Sequence, residues 1–306
     1  MDTRAFALVD AFTQTPLSGN AAGVVPDASG LSVEQMQAIA RELSVSETAF
    51  LFPSDEADRK IRYFTPKQEV DLCGHATVAT HAFLEAAGTI GVGTHSLETN
   101  VGVLSVESTA SGLVWMTQTE PSVTPVAIEY ETIAAALGIE QAALTEVGDE
   151  LPIARASTGL PFLMVPVSFL QSLGNAAPDM DAIASLSAEH DVAGIYAFTF
   201  DTLDSASTLH ARMFAPASGV PEDPVTGTAS GACGAYLEWY GALDSFVDPL
   251  QFEQGQFIDR GGHAFVDIQA DETTGLTTVR VGGHAVSAAD GTLTIPDMST
   301  DEIIEA

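Results

Sequence analysis

Three side chains that can move protons stand beside strong strand and helix signals in the sequence. Glu47 precedes the apolar run Ala49–Phe52, while His75 and Asp223 each stand close to the start of a small-residue helical segment. A carboxylate at the end of a strand, a second one at a helix start and a histidine between them can remove a C–H proton and return it elsewhere. Helix N–H groups nearby can stabilise the enolate that forms in between. The set predicts acid–base chemistry at carbon.

Each of these residues also has a purely structural interpretation when taken singly. Glu47 fits a solvated turn, His75 a histidine at a helix start, and Asp223 a cap or turn before a proline. Aligning the helix–strand junctions of the two halves places Gly194 opposite Glu47, so this carboxylate belongs to one half only. The functional interpretation therefore depends on the three residues occurring together.

The elements that must position these residues occur twice in the chain. Residues 74–88 read GHATVATHAFLEAAG and residues 227–241 read GTASGACGAYLEWYG, with ungapped identities at a constant offset of 153. A second shared frame precedes each copy, Arg62–Pro66 in the first half and Arg212–Pro216 in the second. Self-similarity at half the chain length predicts two similar lobes related by pseudo-twofold symmetry.

Periodicity predicts the elements within each lobe. Alternating apolar residues predict strands at Ala5–Val9, Ala49–Phe52 and Ile61–Phe64, and regions 97–116 and 264–295 predict more of them. Ser32 opens a capping-box pattern for a helix that runs to about Leu43. We expect an α+β protein with lobes at residues 1–123 and 124–306, in which a terminal strand is able to pack back on the first lobe.

Both repeated helices open with a glycine and a polar residue, Gly74-His75 and Gly227-Thr228. Unpaired N–H groups and the positive end of the helix dipole make such starts suitable for a carboxylate or an enolate oxygen. Glycine in one copy alone is equally explained by a tight helix start. The matched pair, with His75 and Asp223 alongside, favours two anion-binding sites.

The charge balance excludes several classes of function. The 306 residues include 42 Asp and Glu against 10 Lys and Arg, a formal net charge of −32. Binding to nucleic acid or to an anionic membrane surface requires a basic patch, which a chain with so few cations does not supply. The acids are scattered and form no tail, so we interpret them as a solvation device of a halophile's protein.

The sequence lacks the common motifs for binding a nucleotide, a dinucleotide or zinc. The chain contains no GxGxxG after a strand, no GxxxxGK[ST] and no HExxH, and its seven histidines are dispersed, so we predict neither a cofactor nor a metal site.

Cys73 and Cys233 are too few for a disulfide scaffold. The N-terminus lacks a signal-peptide pattern and no apolar stretch approaches membrane-spanning length, so we expect a cytoplasmic protein.

Five ordered motifs resemble the PhzF-like family of phenazine biosynthesis proteins, which has the diaminopimelate-epimerase-like fold. The motifs are Val9-Asp-Ala-Phe-Thr with Ser18-Gly-Asn20, Leu43-Ser-Val-Ser-Glu-Thr48, Arg62-Tyr-Phe-Thr-Pro66, Cys73-Gly-His-Ala-Thr77 and Pro221-Glu-Asp-Pro-Val-Thr-Gly-Thr-Ala229. The resemblance implies two lobes, each a curved, barrel-like sheet around a central helix, with an active site in the cleft between them. It also implies a homodimer.

The resemblance further implies a cofactor-independent isomerase or epimerase that acts on a small carboxylated metabolite. Glu47 is then the acid/base that moves the proton, with His75 and Asp223 flanking the substrate as catalytic partners. The expected substrate-binding positions are Asn20, Cys73, Gly74, Gly227 and Thr228, where Thr228 keeps the hydroxyl of a serine often found there.

Two alternatives remain open at this point. Racemases of this fold use two opposed cysteines, but the position equivalent to Cys73 is Thr226, which argues against a two-thiol racemase. A Cys/Thr pair could instead support dehydration of a hydroxy amino acid. A small-carboxylate binding protein without turnover is the non-enzyme alternative, and the joint presence of Glu47, His75 and Asp223 argues against it.

Overall fold

The computed structural model describes residues 2–147, 151–243, 249–270 and 277–296. Its elements divide between two compact units. Of the described residues, the first unit comprises those within 2–17, 21–114 and 284–296, and the second comprises those within 18–20 and 115–283. The sequence placed the change of lobe after residue 123. In the structure the chain changes units at Val114, and the last strand belongs to the first unit.

The described elements are strands and a smaller number of helices, which makes the protein α+β. The helices are α1 Val33–Leu43, α2 Gly74–Ala86, α3 Tyr130–Leu137, α4 Ala142–Thr145, α5 Leu170–Gly174, α6 Met180–Glu189 and α7 Gly227–Trp239. The strands are β1 Asp2–Ala11, β2 Asn20–Val25, β3 Glu47–Phe52, β4 Arg59–Phe64, β5 Glu69–Val70, β6 Gly93–Thr99, β7 Gly102–Ser108, β8 Val114–Thr117, β9 Ser122–Pro125, β10 Ala154–Ser157, β11 Pro161–Pro166, β12 Gly194–Thr199, β13 Leu209–Ala215, β14 Val220–Asp223, β15 Leu250–Gln254, β16 Gly262–Ala270, β17 Thr277–Gly283 and β18 Ala285–Ile295.

Helix α2 is the central helix of the first unit. It packs on β1, β3, β7 and β18. All residues from Ala76 to His81 are buried, so the helix has no solvent face over this stretch, as expected of a helix surrounded by sheet. The terminal strand β18 pairs antiparallel with β1 along nearly its whole length, with one bulge between Leu8 and Val9.

Helix α7 holds the same place in the second unit. It packs on β9, β10, β11, β16 and β17, and every residue from Ala229 to Leu237 is buried. Two glycines allow the strands to come close, because a Cβ at Gly231 would lie 2.8 Å from Val281 and one at Gly234 would lie 2.6 Å from Val266. The predicted pair of lobes with a central helix each is thereby confirmed.

The local signals read from the sequence are also confirmed. The Ser32 hydroxyl accepts a hydrogen bond from the Gln35 backbone N–H, and the Gln35 side-chain oxygen accepts one from the Ser32 backbone N–H, so α1 begins with the expected capping box. Ser44 ends the helix in the left-handed conformation at φ 54°. The chain then enters β3 at Glu47, and β3 pairs parallel with β2 and antiparallel with β4.

None of the described helices combines the length and the apolar character that crossing a bilayer requires.

Candidate active site

Glu47, Cys73 and His75 meet at one point of the first unit. Glu47 is the first residue of β3, Cys73 is the N-cap of α2, and His75 lies in the first turn of that helix. The Glu47 carboxylate Oε2 lies 3.3 Å from His75 Nε2, and Cys73 Sγ lies 3.4 Å from His75 Nδ1. The imidazole thus contacts a carboxylate on one edge and a thiol on the other.

The surroundings of Glu47 change its acidity. Only 21% of its side chain is exposed, and no donor among the described residues reaches Oε2 with hydrogen-bond geometry. Burial penalises the charged carboxylate and raises the pKa of Glu47 to about 7, while a hydrogen bond from the Cys73 thiol opposes this shift. The carboxyl group is therefore close to half ionised at neutral pH.

The start of α2 leaves backbone N–H groups beside these side chains. Cys73 has an extended backbone at φ −142° and makes no side-chain capping hydrogen bond. A Cβ built on Gly74 would find no described atom within 4 Å, so there is room over the first helical residue. The positive end of the helix dipole lies at this start and favours an anionic or polar group.

Asp223 is the centre of a second polar cluster, which lies in the second unit. Asp223 ends β14, and its Oδ1 accepts a hydrogen bond of 3.0 Å from Asn20 Nδ2. Its Oδ2 accepts one from the Thr226 hydroxyl. The Asn20 amide also donates to the Val225 carbonyl, so both of its N–H bonds are used. Each oxygen of the Asp223 carboxylate therefore has a donor within the protein.

Two further residues hold this cluster in place. Gln254, at the end of β15, donates to the Asp223 carbonyl and to the Thr226 hydroxyl, and accepts a hydrogen bond from the Thr226 backbone N–H. Asn20, Thr226 and Gln254 are each at least nine-tenths buried. Arg260 donates to the carbonyls of the two residues before Asn20, which fixes that segment.

The start of α7 repeats the arrangement of α2. Its N-cap is Thr226, again extended at φ −115° and without a side-chain capping hydrogen bond. Gly227 is the first helical residue and Thr228 the second, and the Thr228 carbonyl accepts a hydrogen bond from the Thr158 hydroxyl. The predicted positions Gly74 and Gly227 are therefore structurally equivalent.

The predicted site residues fall into these two clusters. The first unit brings together Glu47, Cys73, Gly74 and His75, and the second brings together Asn20 and Asp223, with Gly227 and Thr228 at the start of α7. The roles assigned to them from the resemblance stay predictions, as does the shared cleft. The sequence missed Gln254, which no motif distinguishes from any other strand-end glutamine. It found Thr226 only through the offset of 153.

A family model agrees with the resemblance noted from the motifs. The model for phenazine biosynthesis-like proteins, PhzC-PhzF, matches residues 9–291. The isomerase YfhB of Bacillus subtilis, itself described as uncharacterized, is 38% identical over 282 residues, which cover 90% of this chain and 94% of YfhB. The trans-2,3-dihydro-3-hydroxyanthranilate isomerase of Pseudomonas chlororaphis is 32% identical over 303 residues, or 95% of this chain and 99% of that enzyme.

Solved structures share the same architecture. The PhzF-family phenazine biosynthesis protein of Bacillus anthracis superposes with a TM-score of 0.89 at 35% identity, covering 96% of this chain and all of that one. A hydroxyproline epimerase of Agrobacterium vitis superposes with a TM-score of 0.61 at 14% identity, covering 97% of this chain and 94% of that one. The second likeness extends the fold to epimerases.

Proposed function

This chain belongs to the phenazine biosynthesis-like PhzC-PhzF family and is an isomerase, and we propose that it moves a proton between two carbons of a small carboxylated metabolite with Glu47 as the carrier. The observation that carries the proposal is the Glu47 carboxyl itself. It is largely buried, it lies 3.3 Å from His75 Nε2, and its pKa is raised to about 7. An acid/base group is most effective when its pKa lies near the working pH.

In the proposed reaction one side chain, Glu47, both accepts and donates the proton. The ionised Glu47 accepts a proton from a C–H group of the substrate, and the electron pair left behind delocalises into an adjacent carbonyl or carboxyl. The protonated Glu47, whose acid proton can exchange with solvent while the intermediate is bound, then donates a proton to a second carbon, which restores the carboxylate. Since no net oxidation or reduction occurs, the proposal includes no cofactor.

His75 and the start of α2 supply the remaining groups of the first cluster. His75 contacts the Glu47 carboxylate and orients it, and the N–H groups at Gly74 and His75 bind the oxygen on which negative charge develops. The open space over Gly74 supports this role, because a substrate oxygen has to approach the backbone closely.

Asp223 is proposed as a fixed acceptor for a polar substrate group. Its carboxylate is held on both oxygens, by Asn20 and by Thr226, so its position is fixed and its oxygens can orient a polar group. Asn20 then acts by orienting Asp223, since both of its N–H bonds are already used. Gly227 and Thr228 are proposed to bind a second polar group of the substrate.

The substrate class follows from the chemistry and from one named relative. The Pseudomonas chlororaphis enzyme isomerises trans-2,3-dihydro-3-hydroxyanthranilate, a small cyclic carboxylate. We propose a substrate of the same class, with a carboxyl group and an acidified C–H bond, without assigning that compound to this chain.

A thiol-based dehydratase is the second candidate, and one observation favours it. Cys73 Sγ lies 3.4 Å from His75 Nδ1, a spacing at which an imidazole can take up a thiol proton. In that reaction the Cys73 thiolate rather than Glu47 removes the substrate C–H proton, and the departing hydroxyl group takes the proton held by His75 and leaves as water.

Hydrogen–deuterium exchange at carbon separates these proposals. A panel of small carboxylates, including dihydro-hydroxyanthranilate, hydroxyprolines and amino acids, is incubated in deuterated high-salt buffer and deuterium uptake is followed by NMR. We expect uptake by wild type, a loss of about 1,000-fold in Glu47→Gln, and little change in Cys73→Ala. The exposed-loop variant Glu56→Gln removes the same charge and should behave as wild type.

The pH profile provides the matching test in wild type. Because the free enzyme must carry Glu47 ionised, kcat/KM should rise with pH through an apparent pKa of about 7. Exchange that survives in Glu47→Gln and disappears in Cys73→Ala would replace the isomerase mechanism by the thiol-based one. Binding of panel compounds with no exchange in any variant would identify a binding protein.

We also propose that the protein is cytoplasmic and forms a homodimer. The low cysteine count supports the first and the family resemblance supports the second. Light scattering of the purified protein in concentrated salt tests the assembly, and a monomeric mass would reject the dimer.

A further inference from the structure

Glu47, Cys73 and His75 offer three different metal-ligating atoms at one point. His75 Nε2 lies 3.3 Å from Glu47 Oε2 and 4.0 Å from Cys73 Sγ. A carboxylate oxygen, a thiol sulfur and an imidazole nitrogen from these residues lie within 4.8 Å of one another. Nε2 is the ring nitrogen that lies near Glu47, while Cys73 Sγ lies somewhat nearer to Nδ1, at 3.4 Å.

These separations are close to the edges of a tetrahedral zinc site. With bonds of about 2.0–2.1 Å to nitrogen, about 2.0–2.2 Å to oxygen and about 2.3 Å to sulfur, tetrahedral angles place nitrogen about 3.4 Å from oxygen and about 3.6 Å from sulfur. The observed N-to-O separation of 3.3 Å matches, and the N-to-S separation of 4.0 Å exceeds the tetrahedral value by about 0.4 Å.

The mixture of donors selects the metal. Mg²⁺ and Ca²⁺ prefer oxygen ligands alone, whereas thiolate, imidazole and carboxylate together are typical of Zn²⁺. The positive end of the α2 dipole opposes a cation, but it also favours the thiolate form of Cys73, which is the form that binds metal. The side chains of His75 and Glu47 are partly exposed, so an ion can reach them.

We propose that Glu47, Cys73 and His75 form a reversible Zn²⁺ site and that its occupation inhibits the isomerase. Binding forms Zn–O, Zn–S and Zn–N bonds and releases the Cys73 thiol proton, and the Glu47 proton where one is present, to solvent. The fourth position stays open to water. Inhibition follows because the bound ion occupies the carboxylate oxygen needed for proton transfer, and this second half of the inference rests on the proposed function.

Cobalt spectroscopy tests the site without an activity assay. The chain is stripped with a chelator, titrated with Co²⁺ in high salt and then displaced with Zn²⁺. We expect a sulfur-to-cobalt charge-transfer band that saturates at one ion per chain and disappears on adding Zn²⁺. The band should be lost in Cys73→Ala, affinity should fall by about 100-fold or more in Glu47→Gln and His75→Asn, and Glu56→Gln should match wild type.

Absence of the band, or equal Zn²⁺ affinity in all variants, would overturn the site and leave only carboxylate binding on an acidic surface. A wild-type measurement covers variants that fail to fold: Zn²⁺ should protect Cys73 from alkylation, read by mass spectrometry, and unchanged labelling would again reject the site. A cobalt band with undiminished proton exchange in the metal-bound enzyme would instead leave the site standing and reject Glu47 as the proton carrier.

Discussion

The two central helices begin in the same way but lie among different polar groups. In each, an extended N-cap is followed by glycine, and the side-chain hydroxyl four residues after the cap donates to the cap carbonyl, Thr77 to Cys73 at 2.7 Å and Ser230 to Thr226 at 2.9 Å. The shared frame is therefore built from small residues and backbone hydrogen bonds. The chemistry differs only in the side chains placed around that frame.

The carboxylates of the two clusters, Glu47 and Asp223, differ in their surroundings. Glu47 has its pKa raised to about 7 by burial, and no described donor reaches its Oε2. Asp223 is held by donors on both oxygens, from Asn20 and Thr226. A duplicated frame thus carries one carboxyl group whose pKa burial raises to about 7 and one whose two oxygens both accept hydrogen bonds within the protein.

The same frame carries an arginine–glutamate pair in each unit, and the largest expected difference in stability lies there. Arg62 binds Glu69 through two hydrogen bonds with side chains 22% and 26% exposed, whereas Arg212 binds Glu222 with side chains 8% and 12% exposed. Glu222→Gln should lower the free energy of unfolding by about 3–4 kcal/mol, because a nearly buried guanidinium loses its counter-charge.

The matched variant Glu69→Gln should cost less than about 1 kcal/mol, since the more exposed pair is screened by solvent. Denaturant unfolding of both variants in the same salt measures the difference. Equal losses would show that burial does not distinguish the two copies.

Glu47 should make the stability of the protein depend on pH. Its pKa rises from 4.5 to about 7 on folding, so the folded state binds this proton more tightly than the unfolded state does. The resulting stabilisation is complete below the unfolded pKa and is lost as pH rises through 7. Glutamine resembles the neutral acid, so the free energy of unfolding of Glu47→Gln should exceed that of wild type by up to about 3 kcal/mol at high pH and should equal it at low pH.

Unfolding free energies of the two proteins from about pH 5 to about pH 9 test this prediction. The general effect of the −32 charge cancels in the difference between them. A difference that does not grow with pH would mean that Glu47 titrates as an ordinary exposed glutamate, and it would weaken its assignment as proton carrier.

The sequence predicted the frame better than the polar contacts within it. Apolar periodicity and the internal repeat locate α2, α7, β3 and β4, because each depends on residues close together in the chain. Cys73 and His75 are near neighbours, and their nomination needed no tertiary information. The approach of Glu47 required the packing of β3 on α2, which no local pattern encodes.

Contacts over long chain separations could not be read from the sequence. Asn20 and Asp223 are 203 positions apart, and their hydrogen bond depends on how the strands of the second unit are arranged. Asn20 stays a predicted substrate-binding position: both of its N–H bonds are engaged within the protein, and its Oδ1 has no hydrogen-bond partner among the described residues. Gln254 was invisible for the same reason, since its three partners all lie near the start of α7.

Gln254 offers a test of whether Asp223 must be held rigidly. Gln254→Met keeps the volume but removes three hydrogen bonds, which should cost about 2 kcal/mol of stability because buried partners are left unsatisfied. If Asp223 positions substrate, kcat should also fall about tenfold with the pH profile of Glu47 unchanged. A stability loss with full activity would make Gln254 purely structural, and Gln251→Met in the same strand is the partly exposed control.

The smallest expected difference concerns the tyrosine behind each helix. Tyr63 on β4 donates to Thr77 at 2.5 Å, and Tyr196 on β12 contacts Ser230 at 3.2 Å. The pair β3–β4 of the first unit corresponds to the pair β12–β13 of the second. Tyr63 lies on β4 and pairs with Ala49 on β3, whereas Tyr196 lies on β12 and pairs with Met213 on β13, so the two phenols come from opposite members of the strand pair. The duplicated lobes have therefore kept one aromatic ring and one hydrogen bond at this place while exchanging the strand that supplies them.

Removing either hydroxyl tests whether the exchange is equivalent in energy. Tyr63→Phe should cost about 1 kcal/mol and Tyr196→Phe less, since the longer contact is weaker and each helix hydroxyl keeps its bond to the cap carbonyl. Denaturant unfolding of the two variants decides the order. A larger loss in Tyr196→Phe would mean that the second lobe depends more on this hydrogen bond than the first, and that the distance between the two oxygens does not rank the two copies.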